Sequence, residues 1–428
     1  MLSEKFFNVL LLFILLMTTI FTDLPFFPEK TVTHSFTFII ASIIFLLIFI
    51  KNNLSLKLNY ITKLFIIYMS ISLMFSIILL LIVFLKTGSL YVYGKNILVK
   101  IFEAFFSLFL LHFMVYYLFL QLVKDLPLKT IKNLILLIYF FLTFTALIEY
   151  SNPDILNSFH SLPKEYDRLR LFTMEPSHAG LLYGIYATLS FFFVKNLYFK
   201  MLLLFCSLIV ELFIGSKGLF LAILSTIIFL LIKNIFNIRY MIIFFILLLI
   251  LGFITLNYII PSILMDILEF TSFATRASGI ISAFYILLFY PIGTGLGTYL
   301  YFYPEILYQS SNLLNEIFMK LFNIPLNLSE VISIITTGEN IGSKSGIFQS
   351  IVLTGWTGVF FWFLLYKKVK SYIDSLHISK YDRLILKFII LMTLIQLTVG
   401  SEYTLLYVIW LPISIIEKLY ITGGKRVE

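Results

Sequence analysis

The sequence predicts an all-α polytopic membrane protein of about twelve transmembrane helices, with a large outer loop that holds short amphipathic or re-entrant helices. Three observations carry that prediction. Of the 428 residues, 61% are hydrophobic and only 12% are charged, about half the charged share of a soluble domain. Apolar runs of helical length recur along the chain, and a transmembrane helix needs about 20 such residues. The basic residues behind the net charge of +9 fall in short segments between those runs. That placement fits membrane topology and gives no reason to invoke nucleic acid.

The runs lie near 6–22, 36–50, 61–85, 101–123, 131–150, 179–194, 198–214, 219–232, 241–260, 346–366, 384–399 and 403–417. The first follows Lys5 and has the length of a signal peptide. No small-residue cleavage site stands out behind it and more apolar segments follow, so it reads as an uncleaved first helix. With the N-terminus inside, twenty of the 31 basic residues fall on the inner side and eleven outside. That asymmetry sets both termini in the cytoplasm. The whole chain, 1–428, then reads as one membrane domain with two long outer loops, 151–178 and 261–345. The single cysteine, Cys206, sits in an apolar run and reads as a small packing residue.

The second outer loop is not simply polar. Its stretch 278–290 is apolar but too short to cross, so a re-entrant or interfacial piece is expected there. Farther on, Leu313, Leu314, Ile317, Phe318, Leu321 and Phe322 recur at helical spacing. That spacing predicts an amphipathic helix lying on the membrane surface or covering a cavity.

The chemistry concentrates at 168–178. Arg168 and Arg170 are two residues apart, so in an extended segment they share a face. Glu175-Pro176-Ser177-His178 follows. Pro176 biases Glu175 away from helical geometry and suits the first turn of the next helix. A carboxylate and an imidazole are thus expected at a helix N-terminus, where the dipole favours an ionised Glu175 and a neutral His178. Read structurally, Glu175 pairs with the arginines and His178 caps the helix. Read functionally, so much charge within eleven residues of a charge-poor chain marks a site. Glu211 lies within an apolar run about 6 Å of helical rise below the turn Gly215-Ser216-Lys217-Gly218, and Lys217 is its expected partner. Arg276 and Lys344 add two more cations in the second outer loop. Gly293, Gly295 and Gly297 lack the strand and the Lys-Ser/Thr of a phosphate loop and suit a tightly packed turn. No metal-ligand spacing is visible among the five histidines. Cations at a membrane boundary suit an anionic lipid headgroup, and an arginine fork suits phosphate oxygens.

Four stretches resemble one family, the O-antigen polymerase and ligase superfamily. Residues 170–180 are similar to its outer-loop pattern of an arginine, a short apolar stretch and Glu-Pro-Ser-His. Residues 214–219 are similar to its Ser-Arg-Gly turn, with Lys217 where arginine is usual. Residues 276–297 resemble its arginine, short apolar run and Pro-(Ile/Leu)-Gly-x-Gly-x-Gly sequence. Residues 344–358 resemble the segment leading into the next span, but Lys344-Ser345 stands where family members usually carry His-Asn. That departure favours polymerase over ligase.

The resemblance implies a repeat-unit polymerase of O-antigen, capsule or exopolysaccharide on the outer face of the bacterial cytoplasmic membrane. It implies inverting, metal-independent glycosyl transfer without a cofactor. Donor and acceptor would be glycans linked to undecaprenyl pyrophosphate, with a chain-length regulator as a further partner. In that scheme Arg170, Lys217 and Arg276, with Arg168 and Lys344 as further cations, hold the pyrophosphate. Glu175 is the candidate base with His178 beside it, and Glu211 supports the site. The readings that compete are a ligase moving finished glycan, a flippase or other transporter of lipid-linked oligosaccharide, and a scaffold.

Overall fold

The computed structural model describes residues 2–25, 35–161, 168–232, 271–400 and 406–423, and these are mostly helical. The expected run 241–260 lies outside the described residues. Helices α1 (Leu2–Thr18) and α2 (Thr37–Lys51) precede α3 (Tyr60–Thr87). Local chemistry sets the ends of α3. Asn59 and Thr62 exchange backbone-to-side-chain hydrogen bonds of 2.7 Å at its start, and Gly88 closes it at φ 67.

Next comes a hairpin of β1 (Tyr91–Val92) and β2 (Lys95–Asn96), the one described departure from an all-helical chain. Its two turn residues, Tyr93 and Gly94, both take positive φ (51 and 70), as a two-residue hairpin turn requires. Tyr93 donates from its hydroxyl to Ile335 O at 2.8 Å and Lys95 from its amine to Gly338 O at 2.5 Å. Those bonds supply the tertiary support that an isolated hairpin lacks.

Helices α4 (Ile97–Ala104) and α5 (Leu111–Asp125) form one run through a π-helical turn at Phe105–Leu110. Every residue of α5 from Leu111 to Val123 is buried, so this all-round apolar helix sits at the centre. Around it Phe65 meets Trp410 and Phe361 at ring distances of 4.9 and 5.0 Å. Trp410 donates to His112 Nδ1 at 2.8 Å, which satisfies an imidazole in the middle of an apolar helix.

Three antiparallel helices carry the first half of the site: α6 (Leu128–Ser151), α7 (Pro176–Phe193) and α8 (Leu197–Ile214). They are followed by α9 (Lys217–Ile232), α10 (Thr271–Phe289), α11 (Tyr299–Phe322) and α12 (Ser329–Thr337). The chain continues through α13 (Gly346–Thr354), α14 (Trp356–Ser375), α15 (Lys380–Val399) and α16 (Trp410–Ile421). Helix α15 packs on both α9 and α7, and α10 packs on α11 and α13.

Among the described residues, four helical runs are long and apolar enough to cross a membrane: Tyr60–Thr87, Ile97–Asp125, Leu128–Ser151 and Leu197–Ile214. Three expected features change in detail. The run 346–366 is two helices, because Gly355 turns the chain at φ 57 and ψ −135. There Thr294 N and Gly295 N donate to Val352 O and Leu353 O at 2.9 Å, and Trp356 N donates to Pro291 O at 3.0 Å. Backbone meets backbone at this crossing, and a Cβ on Gly293 would lie 2.5 Å from Leu353 O. The short run 278–290 is the main part of the 19-residue α10, whose earlier turns are too polar to register as apolar sequence. The helix expected over 313–322 begins at Tyr299. Of its apolar residues Leu314 is buried, whereas Leu313, Leu321 and Phe322 are exposed.

Candidate functional site

Residues 168–175 are strapped down from both sides before they reach α7. Glu149, 1% exposed in the last turn of α6, accepts from Arg170 N at 3.1 Å and from Leu171 N at 2.9 Å. A buried carboxylate is tolerated where hydrogen bonds replace its lost hydration. Two bonds fix Leu171 at φ 50, which reverses the chain. On the other side Thr22 N and Asp23 N both donate to Phe172 O. Asp23 is itself buried with His160, its Oδ2 being 2.9 Å from the imidazole Nδ1, and it also accepts from Ser161. Burial alone would raise the Asp23 carboxyl; the bonds from His160 and Ser161 outweigh it and hold the group below its ordinary range.

Glu175 then adopts φ −134 and ψ 150, the extended geometry imposed ahead of Pro176, which opens α7. Its side chain does not cap that helix. Instead Oε2 accepts from Ser177 Oγ at 3.2 Å and lies 3.6 Å from Nη2 of Arg276. Burial acts to raise the Glu175 carboxyl. The neighbouring His178 imidazole, the Arg276 and Lys344 cations and the Ser177 hydroxyl together hold it below the ordinary value. His178 is buried and its Nδ1 has no hydrogen-bond partner among the described residues.

The turn between α8 and α9 packs directly on the start of α7. A Cβ on Gly180 would lie 3.1 Å from both Ser216 Cβ and Leu219 Cδ2, and 3.4 Å from Glu211 Oε2. The glycine is what admits the close approach. Arg168 donates to Gly215 O at 3.4 Å. Glu211 departs from the expected pairing with Lys217. Its Oε1 is buried without a hydrogen-bond partner among the described residues, facing Gly180 and Gly184 of α7. The rotation of α8 sends this side chain toward the gap left by two missing side chains, while Lys217 starts α9 at the exposed end.

The second half of the site comes from α10, α13 and α15. Thr275 donates to Glu330 at 2.7 Å, which orients the start of α10. Arg276 reaches α15 as well as Glu175, because its Nη1 would be 3.9 Å from a Cβ on Gly400. The Cα of Gly218 is 3.7 Å from that same point, and Gln396 closes against Gly218. Ser345 Oγ donates to Leu397 O and Thr398 O at 3.0 and 2.7 Å, fixing the segment that carries Lys344. A Cβ on Gly279 would be 3.0 Å from Ser343 Oγ.

Glu175 and Arg276 are therefore in contact, with His178 and Lys344 near enough to act electrostatically on the Glu175 carboxyl. Arg168 and Lys217 flank this charged cluster through the α8–α9 turn. Arg170 is buried, 5% exposed, and its backbone N donates to Glu149. Sequence reading passed over Glu149, Gln396 and the Asp23–His160 pair. Glu149 and Gln396 carried a signal, as polar groups inside apolar helices. Asp23 and His160 carried none, being 137 residues apart. Among the described residues no three His, Cys, Asp or Glu side chains stand close enough to hold a metal. Neither a protein-family model nor a curated protein nor a solved structure matches this chain.

Proposed function

We propose that this chain is a membrane glycosyltransferase that polymerises oligosaccharide repeat units carried on undecaprenyl pyrophosphate. It would be a multi-pass protein of the bacterial cytoplasmic membrane, with both termini inside and the charged cluster at the outer face. The observation that carries this reading is the contact of Arg276 with Glu175 at the start of α7, with His178 and Lys344 near enough to act on that carboxyl. Three of the four stretches that carry the family resemblance contribute to that cluster, and the fourth, 214–219, packs against it.

In the reaction, an acceptor hydroxyl attacks the anomeric carbon of the donor glycan. The bond from that carbon to the pyrophosphate oxygen breaks, and undecaprenyl pyrophosphate leaves with the electron pair. The hydroxyl proton passes to Glu175, whose ionised carboxylate is an acceptor. Arg276, Lys344 and Lys217 stabilise the charge that develops on the departing oxygens. A separation of 3.6 Å between Arg276 and Glu175 exceeds the roughly 2.7–2.9 Å of a tight charged hydrogen bond. The guanidinium thus keeps donors for a phosphate, and binding that phosphate draws it away from Glu175.

The test is purified protein given a synthetic undecaprenyl-pyrophosphate-linked repeat unit. A ladder of products supports the reading. An unchanged single band, with substrate shown to be bound, removes it.

A further inference from the structure

The end of the molecule opposite the charged cluster holds a cleft of about 930 Å³ between the start of α6, the end of α7 and the start of α8. Three lysines line it: Lys129, Lys132 and Lys195. Its walls are apolar, formed chiefly by Leu136, Phe192, Phe193, Phe199 and Leu202, and no acidic residue is among the described residues lining it.

The electrostatics of this cleft are one-sided. Helix N-termini carry partial positive charge, and acidic residues in the first turn ordinarily balance it. Neither α6 nor α8 has one there. Pro127 offers α6 no side-chain cap, and two of the lysines lie within its first two turns. Lys195 directly precedes Asn196, the N-cap of α8. Lys129 and Lys132 work against α6 unless an anion joins them, while Lys195 lies between the C-cap of α7, which favours a cation, and the N-cap of α8. Topological control needs basic residues somewhere in these segments. It does not need them to converge on one apolar cleft.

We infer that this cleft binds an anionic phospholipid, its phosphate held by Lys129, Lys132 and Lys195 and its acyl chain lying between α6 and α8. Charge complementarity identifies the headgroup, and the walls identify the rest of the ligand. Phe192 and Phe199 line the inside, while Leu202 and Tyr198 stand 50% and 87% exposed at the mouth. An apolar mouth suits a chain that enters from hydrocarbon, and tyrosine is typical of the membrane–water boundary. The position also fits. Helix α8 has 18 residues, is apolar enough to cross a membrane, and runs from the cleft to the turn packed on the start of α7, a rise of about 27 Å. That is close to the roughly 30 Å of a bilayer core, so the two sites lie at its two boundaries. The inference rests on the membrane reading and is independent of glycosyl transfer.

The test uses the full chain in detergent, exchanged against equal amounts of phosphatidylglycerol and phosphatidylcholine, with retained lipid measured by mass spectrometry. Wild type is expected to retain the anionic lipid about tenfold over the zwitterionic one. The variant Lys129→Gln/Lys132→Gln/Lys195→Gln should lose at least about fivefold of that preference. Lys367→Gln/Lys370→Gln, which lowers charge away from the cleft, should keep it. A Tyr198→Trp reporter in otherwise native protein should be quenched more by brominated phosphatidylglycerol than by brominated phosphatidylcholine. That arm decides the matter if the triple variant does not fold. Equal retention of both lipids, equal quenching, or an unchanged preference in the triple variant overturns the inference. Stabilisation by inorganic phosphate alone, equal to that by lipid, also overturns it, since the cleft would then be a plain anion site.

Discussion

The guanidinium of Arg276, near the start of α10, lies 3.6 Å from the carboxylate of Glu175, which immediately precedes α7. This one contact ties the 168–178 segment to the second half of the chain. Their side chains are 35% and 52% exposed, so the pair contributes only about 0–1 kcal/mol to stability. Glu175→Gln and Arg276→Gln are each expected to lower polymer formation at least about 100-fold while leaving the melting temperature within a few degrees of wild type. Activity and thermal melts measured on the same preparations check this. Losses that run in parallel in both assays would make the pair a staple between segments and nothing more.

The pH profile of the proposed reaction has a predicted acid limit. A carboxyl held below its ordinary value in the folded protein stays ionised above that value, and loses its charge only as pH falls through the depressed pKa. For Glu175 the ordinary value is 4.5, so the acid limb of polymer formation falls below it. Arg276→Gln removes one of the charges that hold the group down and should move the limb upward. Rate against pH for wild type and a slow but measurable Arg276 variant tests both statements. A wild-type limb at about pH 6 would assign it to an imidazole instead.

The buried Asp23–His160 pair should govern stability rather than chemistry. Removing one partner of a buried pair typically costs about 3–5 kcal/mol, and Asp23→Asn leaves His160 with a weaker acceptor. Melting temperature should fall clearly, with specific activity of the surviving folded protein retained. The sign with pH follows from the depressed Asp23 carboxyl. Its stabilisation is present above the ordinary value of 3.8 and is lost as pH falls below it. Melts of wild type and Asp23→Asn should therefore converge toward acid. Curves that stay parallel would show that the charge on Asp23 contributes nothing.

Gly180 and Gly355 test the packing that assembles the site. A Cβ on Gly180 meets Ser216 and Leu219 at 3.1 Å, and overpacking of that kind costs about 1–3 kcal/mol. Gly180→Ala should give folded protein with reduced activity, because α7 is pushed off the α8–α9 turn. Gly355→Ala adds strain at φ 57 to a collision with the backbone of Pro291, and should yield little folded protein. Yield by size-exclusion chromatography, set beside activity, separates the two outcomes.

Apolar runs of helical length specify helices where they stand, because burying them in hydrocarbon or protein requires every backbone group to be satisfied within the segment. For that reason α3, α6 and α8 fall within a few residues of their expected limits. The extended Glu175 and the start of α7 were legible too, because Pro176 acts on its immediate neighbours. The break at Gly355 was not: an apolar run reads as continuous when the reason for its division, the backbone of 291–295, arrives from elsewhere. Glu211 gave the opposite case. Its presence in an apolar run was plain, but its direction depended on Gly180 and Gly184 of another helix.

By itself, then, the sequence determined the helical class, the extended start of α7 and the stretch where charge is concentrated, all matters of local composition and local sterics. Only the tertiary structure decided that Arg276 meets Glu175 with His178 and Lys344 near enough to act on its charge, that Arg170 is buried with its backbone on Glu149, and that Asp23 meets His160. Ion pairs and buried polar contacts depend on distances of a few ångströms between side chains far apart in the chain. Helix packing sets those distances, and no local pattern of residues encodes them.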